Sequence, residues 1–195
     1  MLEILLQQNF DKEIYFYDDV NKDAKTVYEN YKILKTQEEV ETLFQLDNEF
    51  CLGVGGVLVR EKIFSYLLSF SGKPSTIISP YSHIGKNKIF IGDASTIATG
   101  AIITTNVSIG TGCLINLNCT IGHGSVIGKF CELSPGVHIS GNCTIQDYCS
   151  IGTGAVILPN LSIGKNVTIG AGAVITKSIS DGQRIVGVPG KPMDN

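Results

Sequence analysis

The sequence has little charge to spare: 15 Lys and Arg stand against 18 Asp and Glu, a net charge of -3 in 195 residues. Without a basic field, nucleic-acid binding is not expected. Mean hydropathy is +0.19, yet no apolar run reaches the roughly 18 residues that a membrane-spanning helix needs, so no membrane partner is expected. The first residues lack the positive region, apolar core and small-residue cleavage site of a secretory signal. A cytoplasmic protein with a large apolar interior is expected. Six cysteines are present, but none forms a Cys-x-x-Cys pair or a Cys/His cluster of zinc-ligand form, so neither metal nor disulfides are expected. Histidine is scarcer still, with only His83, His123 and His138. No Ser or Cys stands in a nucleophile elbow, which argues against a covalent acyl-enzyme.

What is present is a repeat. Stepping by six from Ile91 meets Ile97, Ile103, Ile109, Ile115, Ile121, Ile127, Leu133 and Ile139, and then Ile145, Ile151, Ile157, Ile163, Ile169 and Ile175. The following residue is often Gly, which suggests a turn, and the residue four after is small or of modest size, five times as cysteine (Cys113, Cys119, Cys131, Cys143 and Cys149). Each hexad reads as one short strand and one corner, and three hexads as one triangular coil of eighteen residues. Positions eighteen apart then stack about 4.8 Å apart, in a prism roughly 24 Å long. The cysteines become small core residues with free thiols. A seven-residue step from Ile84 to Ile91 predicts a bulge, and Asp181 at the next inward position predicts that the repeat ends after Ile175. This pattern resembles the hexapeptide-repeat acyltransferases, and the resemblance implies a left-handed parallel β-helix. The predicted fold is therefore mainly β, with the helix over 77–180, a Gly- and Pro-rich tail over 181–195, and a small α/β, Rossmann-like domain over 1–76.

In that first domain, Glu13 to Tyr17, Phe50 to Val54 and Ser75 to Ser79 read as strands, and Leu2 to Gln8 and Val57 to Phe70 as helices. Thr36-Gln37-Glu38-Glu39 reads as a capping box opening another helix. A nucleotide-binding α/β domain ordinarily begins with a strand and a Gly-rich turn ahead of its first helix. Here the sequence opens inside that helix, so either the acceptor differs or the native start lies upstream of Met1. The remaining Gly53-Val54-Gly55-Gly56 suits a backbone phosphate cradle and an ordinary turn equally well.

His123 is third in its hexad and so faces outward. An amine or hydroxyl attacking a thioester must lose a proton, a task suited to imidazole near neutral pH. His123 and His138 are fifteen apart rather than eighteen, so they share no column, and a histidine zinc site of the kind trimeric β-helices can build is not expected. A wider set of motifs is similar to the bacterial sugar acetyltransferases of the PglD/NeuD kind. It comprises Tyr17-Asp18-Asp19, Val54-Gly55-Gly56 with Arg60, Ile121-Gly122-His123, Leu133-Ser134-Pro135-Gly136, Ser140-Gly141-Asn142, Leu158-Pro159-Asn160, Gly170 to Lys177, and Gly187-Val188-Pro189-Gly190-Lys191.

That resemblance implies acetyl transfer from acetyl-CoA to the amino group of a nucleotide-activated amino sugar. His123 is then the general base and Asn116 helps hold the sugar. Gly141 offers its N–H to the thioester oxygen. Glu132, Thr153 and Ala171 line the acetyl-CoA groove, Lys177 and Lys191 meet its phosphates, and Asp18, Asp19 and Gly55 contact the nucleotide-sugar. It also implies a homotrimer with sites between subunits, for which a flat-faced prism is suited. The alternatives are sugar O-acetylation at the same site, as on sialic acid, and a non-catalytic trimeric scaffold. One departure from the family is Gly124, where an acidic residue often follows the histidine.

Overall fold

The computed structural model describes residues 1–8, 10–21 and 23–193. From Ile77 the chain winds as a parallel β-helix with three flat faces. The first face runs from Ile77–Ile78 through Thr96–Ile97, Leu114–Ile115, Glu132–Leu133, Ser150–Ile151 and Thr168–Ile169 to Arg184–Val186. The second runs from His83–Ile84 to Val174–Ile175, and the third from Ile89–Ile91 to Ser162–Ile163. The ladder residues from Ile97 to Ile175 are at most 2% exposed, each worth about 1.5–3 kcal/mol of burial. Stacked pairs such as Ile109 with Ile127 lie eighteen apart. Ile84 pairs with Ile103, nineteen on, whereas Ile91 pairs with Ile109, eighteen on; the extra residue sits where the seven-residue step predicts it.

The glycines divide into two kinds. Those that follow the ladder residue do not make the turn. They are needed because the next coil is too close: a Cβ on Gly122 would stand 2.5 Å from the Gly141 nitrogen, and one on Gly152 2.5 Å from that of Ala171. The turn itself is made two residues later, by left-handed residues such as Gly112, Asn118, Gly124 and Asn142, with φ of 71°, 57°, 70° and 57°. Gly and Asn tolerate that conformation best. The cysteines of the repeat are fully buried, all six cysteines are free, and burial holds the Cys119 thiol above its usual range.

The coil does not stop at Ile175. Ile179 bridges to Ile163 and Ile185 pairs with Ile169, both sixteen residues away, so the last coil is two residues shorter. That deletion shifts the register. Ile179 takes the inward place, and Asp181 lies in the following corner, where its Oδ1 accepts the Lys165 N–H at 2.8 Å. Asp147 does the same for Lys129 two coils earlier.

The N-terminal region contains α1 (Leu2–Gln7), β1 (Phe16–Tyr17), β2 (Thr26–Val27), β3 (Tyr31–Leu34), α2 (Gln37–Phe44), β4 (Glu49–Phe50), α3 (Val57–Leu68) and β5 (Lys73–Pro74). Strands β1 and β3 are parallel, as are β4 and β5, but the two pairs belong to separate sheets. The strand expected at Glu13 to Tyr17 is shortened to Phe16–Tyr17, that expected at Phe50 to Val54 is displaced to Glu49–Phe50 and shares only Phe50 with it, and Ser75 to Ser79 narrows to Ile77–Ile78, already the first rung of the helix.

The predicted capping box opens α2: Thr36 Oγ1 accepts the Glu39 N–H, and Glu39 Oε2 accepts the N–H groups of Thr36 and Lys35 at 3.2 and 2.6 Å. The Lys35 N–H, then that of Thr36, holds this carboxyl below its usual 4.5. A depressed carboxyl contributes stability above its unfolded pKa and loses it as pH falls. Amide exchange at Lys35 and Thr36, corrected for intrinsic rate, should therefore quicken as pH drops from 6 to 3 relative to the ladder strands.

Candidate active site

The first region is held to the edge between the third and first faces of the helix by a buried guanidinium. Arg60 is 0% exposed. Its Nε donates to Gly112 O at 2.8 Å, Nη1 to Leu52 O and Val54 O at 3.2 and 2.8 Å, and Nη2 to Ala94 O and Cys113 O at 3.3 and 3.1 Å. Phe64 packs edge-on against Phe130, and Phe130 stacks on Tyr148. These two aromatics occupy left-handed turn positions, with φ of 51° and 61°, where most corners have Gly or Asn. The cost of that conformation, about 1–2 kcal/mol per residue, is offset by the contact between the two parts. Tyr148 Oη also donates to Glu61 at 2.6 Å, and that bond pushes its pKa up to about 12.

The expected site residues fall into two groups on one chain. Asn116, Thr153 and Ala171 stand on the edge between the first and second faces, with Glu132 on the adjoining first face. Glu132 is turned toward the N-terminal region: the Gly56 N–H donates to its Oε2 at 2.6 Å, and a Cβ on Gly55 would lie 3.5 Å from its Oε1. Glu132 and Gly55, expected to serve different substrates, thus meet. Asn116 Oδ1 accepts the Leu117 N–H at 2.8 Å.

His123, Gly141 and Lys177 stand on the next edge, between the second and third faces. His123 is exposed and its imidazole lies over Gly141: a Cβ there would meet Nε2 at 2.7 Å and Cε1 at 2.8 Å. The Gly141 N–H has no hydrogen-bond partner among the described residues. An exposed imidazole and an unpaired backbone donor are thereby neighbours, a combination that can take a proton on one side and stabilise an oxyanion on the other. His123 and Asn116, by contrast, are on different edges of the prism within one chain.

Gly124 has a structural reason. At φ 70° it makes the left-handed turn, and a Cβ would lie 2.3 Å from Asn142 Oδ1. An acidic side chain there would be strained and crowded.

Asp18 and Asp19 follow β1. Asp18 Oδ1 accepts the N–H groups of Val20 and Asn21 at 2.9 and 3.1 Å, and these hold its carboxyl below the usual range. Asp19 is exposed, as are Lys177 and Lys191. Lys191 lies in Lys191–Pro192, antiparallel to Arg184–Val186 at the end of the first face. Among the described residues no group of three or more His, Cys, Asp or Glu could hold a metal ion, and no helix is long and apolar enough to cross a membrane. Sequence reasoning quoted Arg60 only as a motif and missed Phe130 and Tyr148. The signal for the aromatics was their intrusion into turn positions otherwise occupied mostly by Gly and Asn.

Two family models match. The model of the PglD N-terminal domain matches residues 1–67, and that of the bacterial transferase hexapeptide (six repeats) matches residues 124–159 and 142–177. No curated protein compared matches the sequence. Among solved structures, the acetyltransferase domain of PglB from Neisseria gonorrhoeae FA1090 in complex with acetyl coenzyme A is similar with a TM-score of 0.88 and 27% identity, over 98% of this chain and 91% of that one. WeeI from Acinetobacter baumannii AYE gives 0.85 and 28%, over 98% and 93%. PerB from Caulobacter crescentus, in complex with CoA and GDP-perosamine, gives 0.84 at 19%, over 94% and 98%, which is a likeness in fold. The chain is an acyltransferase built on a left-handed β-helix of hexapeptide repeats. Within that class its likeness is to the sugar acetyltransferases of the PglD/NeuD kind.

Proposed function

We propose that the protein transfers the acetyl group of acetyl-CoA to the amino group of a nucleotide-activated amino sugar, with His123 as general base. The observation that carries this is the imidazole of His123 lying over Gly141. The acceptor nitrogen attacks the thioester carbonyl carbon and loses its proton to His123. Negative charge on the carbonyl oxygen meets the Gly141 N–H. Collapse breaks the carbon–sulfur bond, and the proton held by His123 passes to the departing thiolate, leaving N-acetyl sugar and free coenzyme A.

A groove shared between subunits of a homotrimer reconciles the two edges, since one chain's His123 edge then faces another's Asn116 edge. The exposed Phe90, Ile102, Leu117, Val126 and Leu158 support such packing: they lie on the second and third faces and on the two edges that flank the second. In this groove Glu132, Thr153 and Ala171 line the pantetheine path, and Lys177 and Lys191 meet phosphates. Asp18, Asp19 and Gly55 serve the nucleotide-sugar. The PglB domain and PerB structures, holding acetyl coenzyme A and CoA with GDP-perosamine respectively, support the donor and acceptor classes.

Incubating the protein and acetyl-CoA with a panel of nucleotide-linked amino sugars and their hydroxyl counterparts tests the reading. Amide product from the amines is expected, while ester product alone would make the protein an O-acetyltransferase. Absence of any His123-dependent acetyl transfer would favour the non-catalytic scaffold, although Gly124, one of its two motives, is accounted for by its turn. Gly141→Ala adds a methyl against a mobile imidazole rather than against backbone, so the fold should survive. Displacing the base by even an ångström should lower kcat about 10–100-fold with little change in Tm.

A further inference from the structure

The turn Gly53-Val54-Gly55-Gly56, which leads from β4 into α3, is held from two sides. Arg60 takes the carbonyl side, where Nη1 donates to Leu52 O and Val54 O at 3.2 and 2.8 Å. Glu132 takes the amide side, where Oε2 accepts the Gly56 N–H at 2.6 Å. A guanidinium has donors only, so Arg60 cannot hold an N–H of the turn. Its donors all go to carbonyls, and among the described residues Glu132 makes no ion pair. The carboxylate is committed to the turn rather than to a cation.

Gly56 cannot supply this contact itself. Its φ of 87° lies where a capping Ser or Thr would be strained, and α3 has no side-chain cap of its own. The cap comes instead from the β-helix. Glu132 stands on a rung whose inward residue, Leu133, is fully buried, and which pairs with Leu114–Ile115 on one side and Ser150–Ile151 on the other. A carboxylate carried on so rigid an element has a fixed origin. The N–H groups of Gly53, Val54 and Gly55 have no hydrogen-bond partner among the described residues, and Gly53 and Gly55 are exposed. Fixing Gly56 on one side and the carbonyls on the other fixes where these three donors point.

We propose that Glu132 is a positioning residue for the nucleotide-sugar: it ties the Gly53 to Gly56 turn to the catalytic prism in the form that leaves three backbone donors open. This rests on the acetyl-transfer reading, in which Gly55 meets the nucleotide-sugar, and gives an acceptor-side role to a residue expected to serve the donor. Lining the pantetheine path falls to the methylenes of Glu132, while its oxygens serve the turn. Without those oxygens, a turn that holds the competent form a tenth of the time binds the acceptor about tenfold more weakly and leaves the chemistry of the bound complex unchanged.

The test uses two variants of the full chain. Glu132→Leu keeps an apolar stem and deletes both oxygens, whereas the amide oxygen of Glu132→Gln can accept the same N–H. With the best acceptor of the nucleotide-sugar panel, Glu132→Leu should raise the acceptor KM about tenfold and leave kcat and the acetyl-CoA KM within about twofold. Glu132→Gln should return the acceptor KM to within about threefold of the parent. Amide exchange at Gly56 should quicken about tenfold in Glu132→Leu and stay near the parent rate in Glu132→Gln. A rise confined to the acetyl-CoA KM would make Glu132 a donor-binding residue, and equal effects of Leu and Gln would mean that its charge acts rather than its hydrogen bond; either result overturns the proposal. Unchanged exchange at Gly56 in Glu132→Leu overturns it whether or not any acceptor reacts. Quickened exchange in a protein whose parent is inert toward the whole panel would sink the acetyl-transfer reading, and the acceptor role with it, while the cap stands.

Discussion

His123→Ala is expected to lower acetyl transfer by about 10²–10⁴-fold, the range that a positioned general base contributes, while coenzyme A still binds. The side chain is exposed on a prism edge, over Gly141, so its removal opens no core cavity and Tm should be unchanged. Steady-state rates, with coenzyme A affinity measured by calorimetry on the same preparations, check both parts. If kcat stays within twofold, another group takes the proton and the mechanism proposed here is wrong. Loss of activity together with loss of coenzyme A binding would instead make His123 a donor-binding residue.

Arg60→Ala is expected to cost about 3–5 kcal/mol of stability, because it leaves several buried carbonyls without their donor at about 1–3 kcal/mol each. Five carbonyls from two parts of the chain converge on this one guanidinium. Without it they face each other in a dry cavity, and each unpaired group costs about 1–3 kcal/mol unless water enters. For a chain of this size about 2–4 °C of Tm accompany each kcal/mol, so a fall of ten degrees or so is expected by calorimetry. Arg60→Lys should rescue little, because an ammonium offers three donors from one point and cannot reach both sides. Unfolding in two steps, with the N-terminal region released first, would show that Arg60 joins the two parts rather than supporting either alone. A stability change below about 1 kcal/mol would mean that water replaces it without loss.

The β-helix was legible because its period is covalent: an inward side chain every sixth residue is the geometry of a coil with three short sides, and little else accommodates fifteen such positions in a row. The capping box at Thr36 and Glu39 was legible for the same local reason. The end of the ladder was not. A two-residue deletion between Ile175 and Ile179 moves Ile179 and Ile185 inward, and counting by six then lands on Asp181, an outward corner residue. The glycines after each ladder residue misled in another way, since close approach of the next coil and a left-handed φ both select Gly and cannot be told apart in sequence. Of the site, the pairing of His123 with Gly141 follows from their eighteen-residue spacing. The meeting of Glu132 with Gly56 does not, because it depends on how the N-terminal region docks through Arg60.

The corner stacking has one more consequence. His123, Gly141, Pro159 and Lys177 are successive members of one column, so the rise from the base to the lysine is a whole number of coils, roughly 14 Å at 4.8 Å per coil. The prism is therefore a ruler graduated in single coils, and the length of acyl donor that can lie along it changes only in those increments. Splicing one further eighteen-residue coil between Ile145 and Ile163 would lengthen that span by one graduation and leave the imidazole and its glycine untouched.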